Sequence, residues 1–271
     1  MNRVMQSDAF SIGLVVRALE YKNGYALERY SDDFLQQRII KAGNELGVSH
    51  ITELIPKILS GEKECSDVLA EVTINVTSMF RAPHVFKYLR ALLSQNWDSN
   101  KQYKIAHIGC STGEEVLSVN IMLLELGMLG KTRSFAYDIS PRAISIAKKS
   151  MYKISDFKEF TCNYFSAGGK QEFRNYFEYQ SGVVHFNPAL TEHTIFSVCD
   201  VTKALPEGEF DLVFCRNMLI YYTQHAQDEV LLTISKAMKK DAYLVVGESE
   251  SLLNSRQFKE LSSGNSVYKR N

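Results

Sequence analysis

Net charge is missing from this chain. Its 31 Lys and Arg balance 31 Asp and Glu, so the formal charge at pH 7 is zero. No global positive field draws it to nucleic acid or to an anionic membrane. Cysteine is sparse: Cys65, Cys110, Cys162, Cys199 and Cys215 stand isolated, with no CxxC pair and no His at a zinc-site interval. Free, partly buried thiols in a reducing compartment are expected, and no metal site. Long apolar runs are also lacking. The opening MNRVMQSDAF has no signal-peptide core, and no stretch approaches the ~20 apolar residues of a membrane span. The expectation is a cytoplasmic protein with no direct membrane insertion and no nucleic-acid partner.

What remains is an ordinary globular composition, 45% hydrophobic and 23% charged over 271 residues, enough for one large domain or two modest ones. Residues 1–74 read as a helical domain. FSIGLVVRALEYKNG has one apolar face and stops near Gly24. SDDFLQQRIIKAGNELG follows, with Ser31 as N-cap, acids in its first turn and Gly47 as the stop. SHITELIPKILSG gives a shorter element near Pro56, and CSDVLAEVTIN is ambiguous between helix and extended chain. Residues 75–100 read as a connecting helical segment, one long helix or two joined from Thr77 to Trp97, with Phe80, Val85, Leu89 and Leu92 near helical spacing.

From residue 101 to 271 strands alternate with helices. YKIAHIGC, RSFAYDI, FDLVFCRNML, AYLVVGES and SVYKRN read as strands. STGEEVLSVNIMLLELG, SPRAISIAKKSMY and HAQDEVLLTISKAMKK read as helices. This order predicts an α/β domain whose mostly parallel sheet is covered on both faces. The aromatic-rich stretch from Tyr152 to Asp200 breaks the pattern. GVVHF and HTIFSV are candidate strands there, and the aromatics read as core in preference to a partner surface.

The segment from His107 to Glu115, HIGCSTGEE, joins a strand to a helix. Gly109 and Gly113 let the backbone pass close to a ligand, and the helix N-terminus offers free amides. Many proteins contain such a turn without a special ligand. It is not a phosphate loop, because no Lys follows Gly113, and GxGxxG is absent. Asp138 ends the next strand, where an acid can accept two ribose hydroxyls, or merely cap the following helix. Glu114 and Glu115 disfavour a pyrophosphate and suit a cationic group such as the ammonium of a methionyl moiety. This chemistry favours S-adenosylmethionine over NAD. His107 and His225 show no base or metal-ligand partner in sequence; His107 reads as a core or interdomain residue.

The chain resembles the chemoreceptor glutamate methyltransferase family, the bacterial chemotaxis methyltransferases. The matching runs are Asn75-Val76-Thr77-Ser78-Met79-Phe80-Arg81, Cys110-Ser111-Thr112-Gly113-Glu114-Glu115, and Tyr137-Asp138-Ile139-Ser140. Then come FDLVFCRNMLIYY, from Phe210 to Tyr222, and Gly247-Glu248-Ser249-Glu250-Ser251-Leu252. Five runs in family order extend over nearly the whole chain. The resemblance implies a Rossmann-like, S-adenosylmethionine-dependent methyltransferase sheet, an N-terminal all-helical domain, and a small inserted β subdomain near residues 160–198. It implies cofactor contacts at Asn75, Thr77, Arg81, Glu115, Asp138, Asp200, Arg216 and Asn217, beside Gly109 of the turn. The expected reaction transfers the methyl group to glutamate carboxylates on the cytoplasmic helices of chemotaxis receptors and leaves S-adenosylhomocysteine. A monomer is expected.

Two departures stand out. Met79 replaces a phenylalanine, and Val116-Leu117-Ser118 replaces Pro-Tyr-Ser. The family's basic receptor-facing helix is poorly matched, with Arg29, Arg38 and Lys41 as candidates. Arg81 and Tyr221 are the expected catalytic residues. Arg81 orients the acceptor carboxylate or holds the cofactor's own carboxylate, and sequence leaves both roles open. Tyr221 hydrogen-bonds the substrate or lines the methyl channel. A methyltransferase with another acceptor and a non-catalytic cofactor-binding signalling module are the alternatives.

Overall fold

In the computed structural model, which describes residues 8–24, 26–61, 77–203, 205, 208–252 and 255–271, helix α1 (Ala9–Asn23) starts on Asp8. The Asp8 carboxylate accepts from Ser11 N at 2.8 Å, and Gly24, at φ 70, ends the helix. Helix α2 (Asp32–Glu45) begins after Ser31, whose side chain makes no capping bond; Asp32 and Asp33 face the positive end of the helix dipole instead. Helix α3 (Leu54–Ser60) tolerates Pro56 in its first turn, where no amide is needed. Val15, Leu19, Leu27, Ile39, Ile51, Leu54 and Ile58 are fully buried together.

The chain divides into two compact units. The first combines Met1–Asn75 with Tyr221–Val230. That late segment is tied to the helices by Ser31 N donating to Tyr221 O at 2.9 Å and Thr223 N donating to Arg29 O at 2.9 Å. Arg29 also pairs with Glu229 at 2.6 Å. CSDVLAEVTIN, with Cys65 and Asn75, falls outside the described residues.

The second unit, Val76–Ile220 with Leu231–Asn271, holds the sheet. Its strands in chain order are β1 (Tyr103–Ile108), β2 (Thr132–Asp138), β6 (Thr194–Val198), β7 (Phe210–Cys215), β8 (Met238–Val246), β9 (Phe258–Ser262) and β10 (Val267–Arg270). In space they run β6-β2-β1-β7-β8-β10-β9. The first five are mutually parallel, and β10 pairs antiparallel with β8 and β9. This is the expected α/β sheet of a Rossmann-like methyltransferase. Helices α5 (Glu114–Glu125), α6 (Pro141–Lys149) and α8 (Gln224–Ala237) connect parallel strands. Because β2 and β7 flank β1 on opposite sides, the chain reverses its direction across the sheet there. In open parallel sheets, ligands bind at the carboxyl ends of strands at such a point.

Three readings of the sequence are corrected. Residues 77–97 are not one long helix: α4 (Pro83–Asn96) starts at Pro83, and Phe80 and Ala82 before it have φ 51 and 59. Proline fits a helix start and disfavours helical geometry in the residue before it. Nor is this segment a mere connector, since Met79, Phe80, Val85, Phe86, Leu89 and Leu93 belong to the core of the second unit. The small sheet also lies earlier than expected. Its strands β3 (Met151–Lys153), β4 (Phe177–Gln180) and β5 (Val183–Phe186) run in the order β3-β5-β4, while HTIFSV pairs parallel with β2 as the edge of the main sheet.

The aromatic stretch is mostly core. Phe157, Phe160 and Tyr164 of α7 (Phe157–Ser166) pack with Phe173, Tyr176 and Phe186, although Phe165 and Tyr179 are exposed. Cys110, Cys162, Cys199 and Cys215 are free thiols. No helix among the described residues is long and apolar enough to cross a membrane.

Phe80 ties these pieces together, with ring contacts to Phe86, Tyr164 and Phe173 at 5.2, 5.4 and 6.3 Å. Phe80→Ala is expected to cost about 3–5 kcal/mol through lost transfer energy and a residual cavity. Urea denaturation measures it; a change below ~1 kcal/mol would remove this segment from the core.

Candidate active site

Where parallel strands end, backbone amides lose their ladder partners and must find acceptors. At the end of β1, Gly109 N and Cys110 N both donate to Tyr137 O of β2, each at 2.9 Å. Gly109 has φ 71, and a Cβ there would sit 3.2 Å from Met218 Sδ. The turn therefore needs glycine for conformation and for space. Ser111 N donates to Asp138 Oδ2 at 2.8 Å, and Ser140 N donates to Oδ1 at 2.9 Å. Asp138 is thus more than a helix cap. It binds the β1 turn to the end of β2 and also accepts from the Ile139 amide. Burial pushes its carboxyl above the ordinary aspartate value, against the lowering effect of the Ser140 and Ser111 amides.

Glu115 enters from the first turn of α5. Its Oε1 lies 3.2 Å from His107 Nδ1, and its Oε2 lies 3.3 Å from Arg216 Nη1. Burial works to raise its carboxyl, but the His107 hydrogen bond and the Arg216 charge outweigh burial and hold it below the usual glutamate range. Arg216 follows β7 directly. It donates through Nη2 to Arg81 O at 2.8 Å and lies 5.6 Å above the Phe86 ring. Family-matched residues from three separate runs, Glu115, Arg216 and the Arg81 backbone, therefore meet in one chain, which His107 extends from outside those runs. Glu114, by contrast, folds back to accept from Thr112 Oγ1 at 2.7 Å.

The other candidates are placed as follows. Thr77 and Arg81 are half-buried. Their turn is held by Phe80 N donating to Ser118 Oγ at 2.8 Å and by Asn163 Nδ2 donating to Met79 O at 3.1 Å. Ser118 thus makes a structural bond in the run where a family tyrosine is missing, and Met79 is fully buried. Asp200 lies just beyond β6, one strand out from Asp138. Its Oδ1 accepts from Thr202 N at 3.1 Å and Thr202 Oγ1 at 2.6 Å. Asn217 follows Arg216 at φ 58. Tyr221 is grouped instead with the first unit, where its ring packs 4.7 Å from Phe34. Asn75 lies outside the described residues.

Sequence reasoning set His107 aside. It is fully buried, stacks on Phe214 at 4.9 Å, and has a carboxylate partner eight residues away across the turn. Tyr152 was also missed; its hydroxyl donates to Thr112 O at 2.7 Å and braces the glycine turn from β3. Neither contact has a periodic signature: His107 reaches Glu115 across a strand-to-helix junction, and Tyr152 reaches a turn 40 residues earlier.

The residues fit S-adenosylmethionine. Glycine-shaped backbone lies beside Asp138 for a ribose diol, and the half-buried Glu115 supplies negative charge suited to a cationic ligand group.

The model of the CheR methyltransferase, SAM binding domain, matches residues 75–267. The chain is 31% identical over 244 residues to Cher3 of Pseudomonas putida, covering 89% of this chain and 88% of the other. It is 26% identical over 251 residues to the chemotaxis protein methyltransferase of Salmonella typhimurium, covering 89% and 83%. The Escherichia coli protein of the same name is 26% identical over 238 residues, covering 84% and 79%.

A carboxylate that is to accept two ribose hydroxyls has to be ionised. Burial raises the Asp138 carboxyl while His107 and Arg216 hold that of Glu115 down, so Asp138 takes up a proton earlier than an ordinary aspartate as pH falls. Cofactor affinity should therefore begin to fall at a higher pH than an ordinary aspartate would give. The stabilisation of the fold from Glu115 persists until pH drops through its lowered value. Asp138→Ala should weaken cofactor binding by about 1.5–3 kcal/mol and abolish the early acid loss. Calorimetry from pH 7 downward tests both; equal affinity in parent and variant would remove Asp138 from the cofactor site.

Proposed function

The chain belongs to the CheR methyltransferase family and is an S-adenosylmethionine-dependent methyltransferase; we propose that its acceptor is a glutamate side chain on a chemotaxis receptor, converted to a methyl ester. The observation that supports this acceptor is the extent of the likeness to proteins named chemotaxis protein methyltransferase. It runs through 89% of this chain and 83% of one such relative, so it includes the N-terminal region as well as the cofactor domain.

When bound, S-adenosylmethionine supplies an electrophilic methyl group on a positively charged sulfur and leaves as S-adenosylhomocysteine. Asp138 holds the ribose hydroxyls. Glu115, kept ionised by His107 and Arg216, balances positive charge on the methionyl end. Thr77, Asp200, Asn217 and the Gly109 turn complete the cofactor side, with Asn75 proposed from the family match alone. Arg81 sets the acceptor or cofactor carboxylate in line, and Tyr221 hydrogen-bonds the acceptor.

No general base is required, because a glutamate acceptor is already an anion at neutral pH. His107 suits this chemistry: its Nδ1 is committed to Glu115 and its ring is sealed against Phe214. The chain's tasks are alignment and exclusion of water. The partner is a cytoplasmic receptor helix, met by the chain as a monomer. Arg29 and Lys41 are committed to Glu229 and Glu45, so a basic docking face gains little support from them.

The test is transfer of labelled methyl to cytoplasmic receptor fragments, then alkaline release of volatile methanol. Label that enters the receptor and leaves as methanol identifies a carboxyl ester. Cofactor binding without such transfer would move the acceptor elsewhere or leave a cofactor-binding module. Arg81→Ala should lower transfer on the order of 10²-fold or more through lost alignment; turnover equal to the parent's would remove Arg81 from the reaction.

A further inference from the structure

Glu250 is a buried acid, 7% exposed, in the turn after β8, and the mechanism above gives it no task. Its carboxylate collects backbone amides from two strand ends. Oε2 accepts from Gly247 N at 2.5 Å and Asn217 N at 2.8 Å. Oε1 accepts from Met218 N and Leu219 N, each at 2.8 Å, and from Ile220 N at 3.4 Å. Among the described residues no cationic side chain pairs with it, so convergent backbone dipoles balance its charge.

The surroundings are shaped for this grip. A Cβ on Gly247 would lie 2.6 Å from Asn217 Nδ2, 2.8 Å from Glu250 Oε2 and 2.9 Å from Asn217 N. Only glycine lets the two turns approach so closely. Asn217 itself has φ 58, a left-handed conformation that costs energy unless its surroundings enforce it. The residue before it is Arg216, whose guanidinium bridges Glu115 and the Arg81 carbonyl. A shift of the turn would carry Arg216 away from both.

We propose that Glu250 is a positioning residue for cofactor binding: its carboxylate clamps the turn after β7 to the turn after β8 and thereby sets Arg216 and Asn217. This rests on the cofactor site described above and extends it to a residue that touches neither cofactor nor acceptor. The clamp requires a carboxylate rather than a shape. Both oxygens face only donors, so the amide of a glutamine, whichever way it turns, points its NH2 at the two amides on one side or the three on the other.

The experiment compares full-length parent, Glu250→Gln, Glu250→Asp and the core control Leu89→Ala, with S-adenosylhomocysteine as the probe. Three quantities are read: thermal midpoint, calorimetric affinity, and amide hydrogen exchange across residues 217–220. Glu250→Gln should bind the probe at least tenfold more weakly and exchange faster at those amides, with the rest of the sheet unchanged. Leu89→Ala should melt lower yet bind within twofold of the parent. If Glu250→Gln does not fold, Glu250→Asp decides, and should show the same faster exchange and weaker binding to a lesser degree. A folded Glu250 variant that melts lower but binds like the parent, or keeps 217–220 protected, would overturn the proposal. If the parent failed to bind the probe, the cofactor reading and this role would both fall. Failure of the receptor acceptor alone would leave every readout here unchanged.

Discussion

Parallel strands leave unpaired amides where they end, and this chain satisfies them with buried carboxylates and one doubly used carbonyl. Tyr137 O takes two amides, Asp138 takes Ser111 and Ser140, and Glu250 takes amides from the ends of β7 and β8. The remaining site geometry depends on this arrangement. An unmatched buried amide costs about 1–3 kcal/mol, so the acids cannot be exchanged freely for residues of similar size. Glu115 adds a carboxylate at this edge of the sheet, which suits a cationic ligand group and opposes a pyrophosphate.

Arg216 prevents that concentration of acid from becoming self-defeating. It meets one oxygen of Glu115, while His107 meets the other. Both contacts favour the ionised carboxylate against a strong burial penalty. A buried ion pair need not stabilise a fold, since desolvation can exceed the Coulomb gain. Its value here is directional, because one guanidinium fixes Glu115 relative to the Arg81 turn. The core beneath supports this: Phe86 underlies Arg216, and Phe80 packs that turn against α7.

A hydrogen bond couples the small sheet to this centre. Tyr152 of β3 reaches the carbonyl of Thr112, inside the glycine turn. Its ring also packs 5.8 Å from Phe186 of β5. The aromatic stretch that interrupts the alternation of strands and helices therefore braces the turn through Tyr152.

The order of strands and helices was legible in the sequence because periodicity and end signals are local: apolar runs for buried parallel strands, Gly24 and Pro141 at helix boundaries, glycines in the β1 turn. Asp138 could be singled out because a strand end places it by topology alone, and the family runs brought in Arg81, Glu115 and Arg216. Tertiary structure decided what crosses between elements. It started α4 at Pro83 and assigned HTIFSV to the main sheet, where pairing with β2 satisfies its backbone. It also gave His107 a carboxylate and Glu250 five amides. Those partners lie on different turns, up to 33 residues apart in the chain, and no local pattern records a distance that only folding closes.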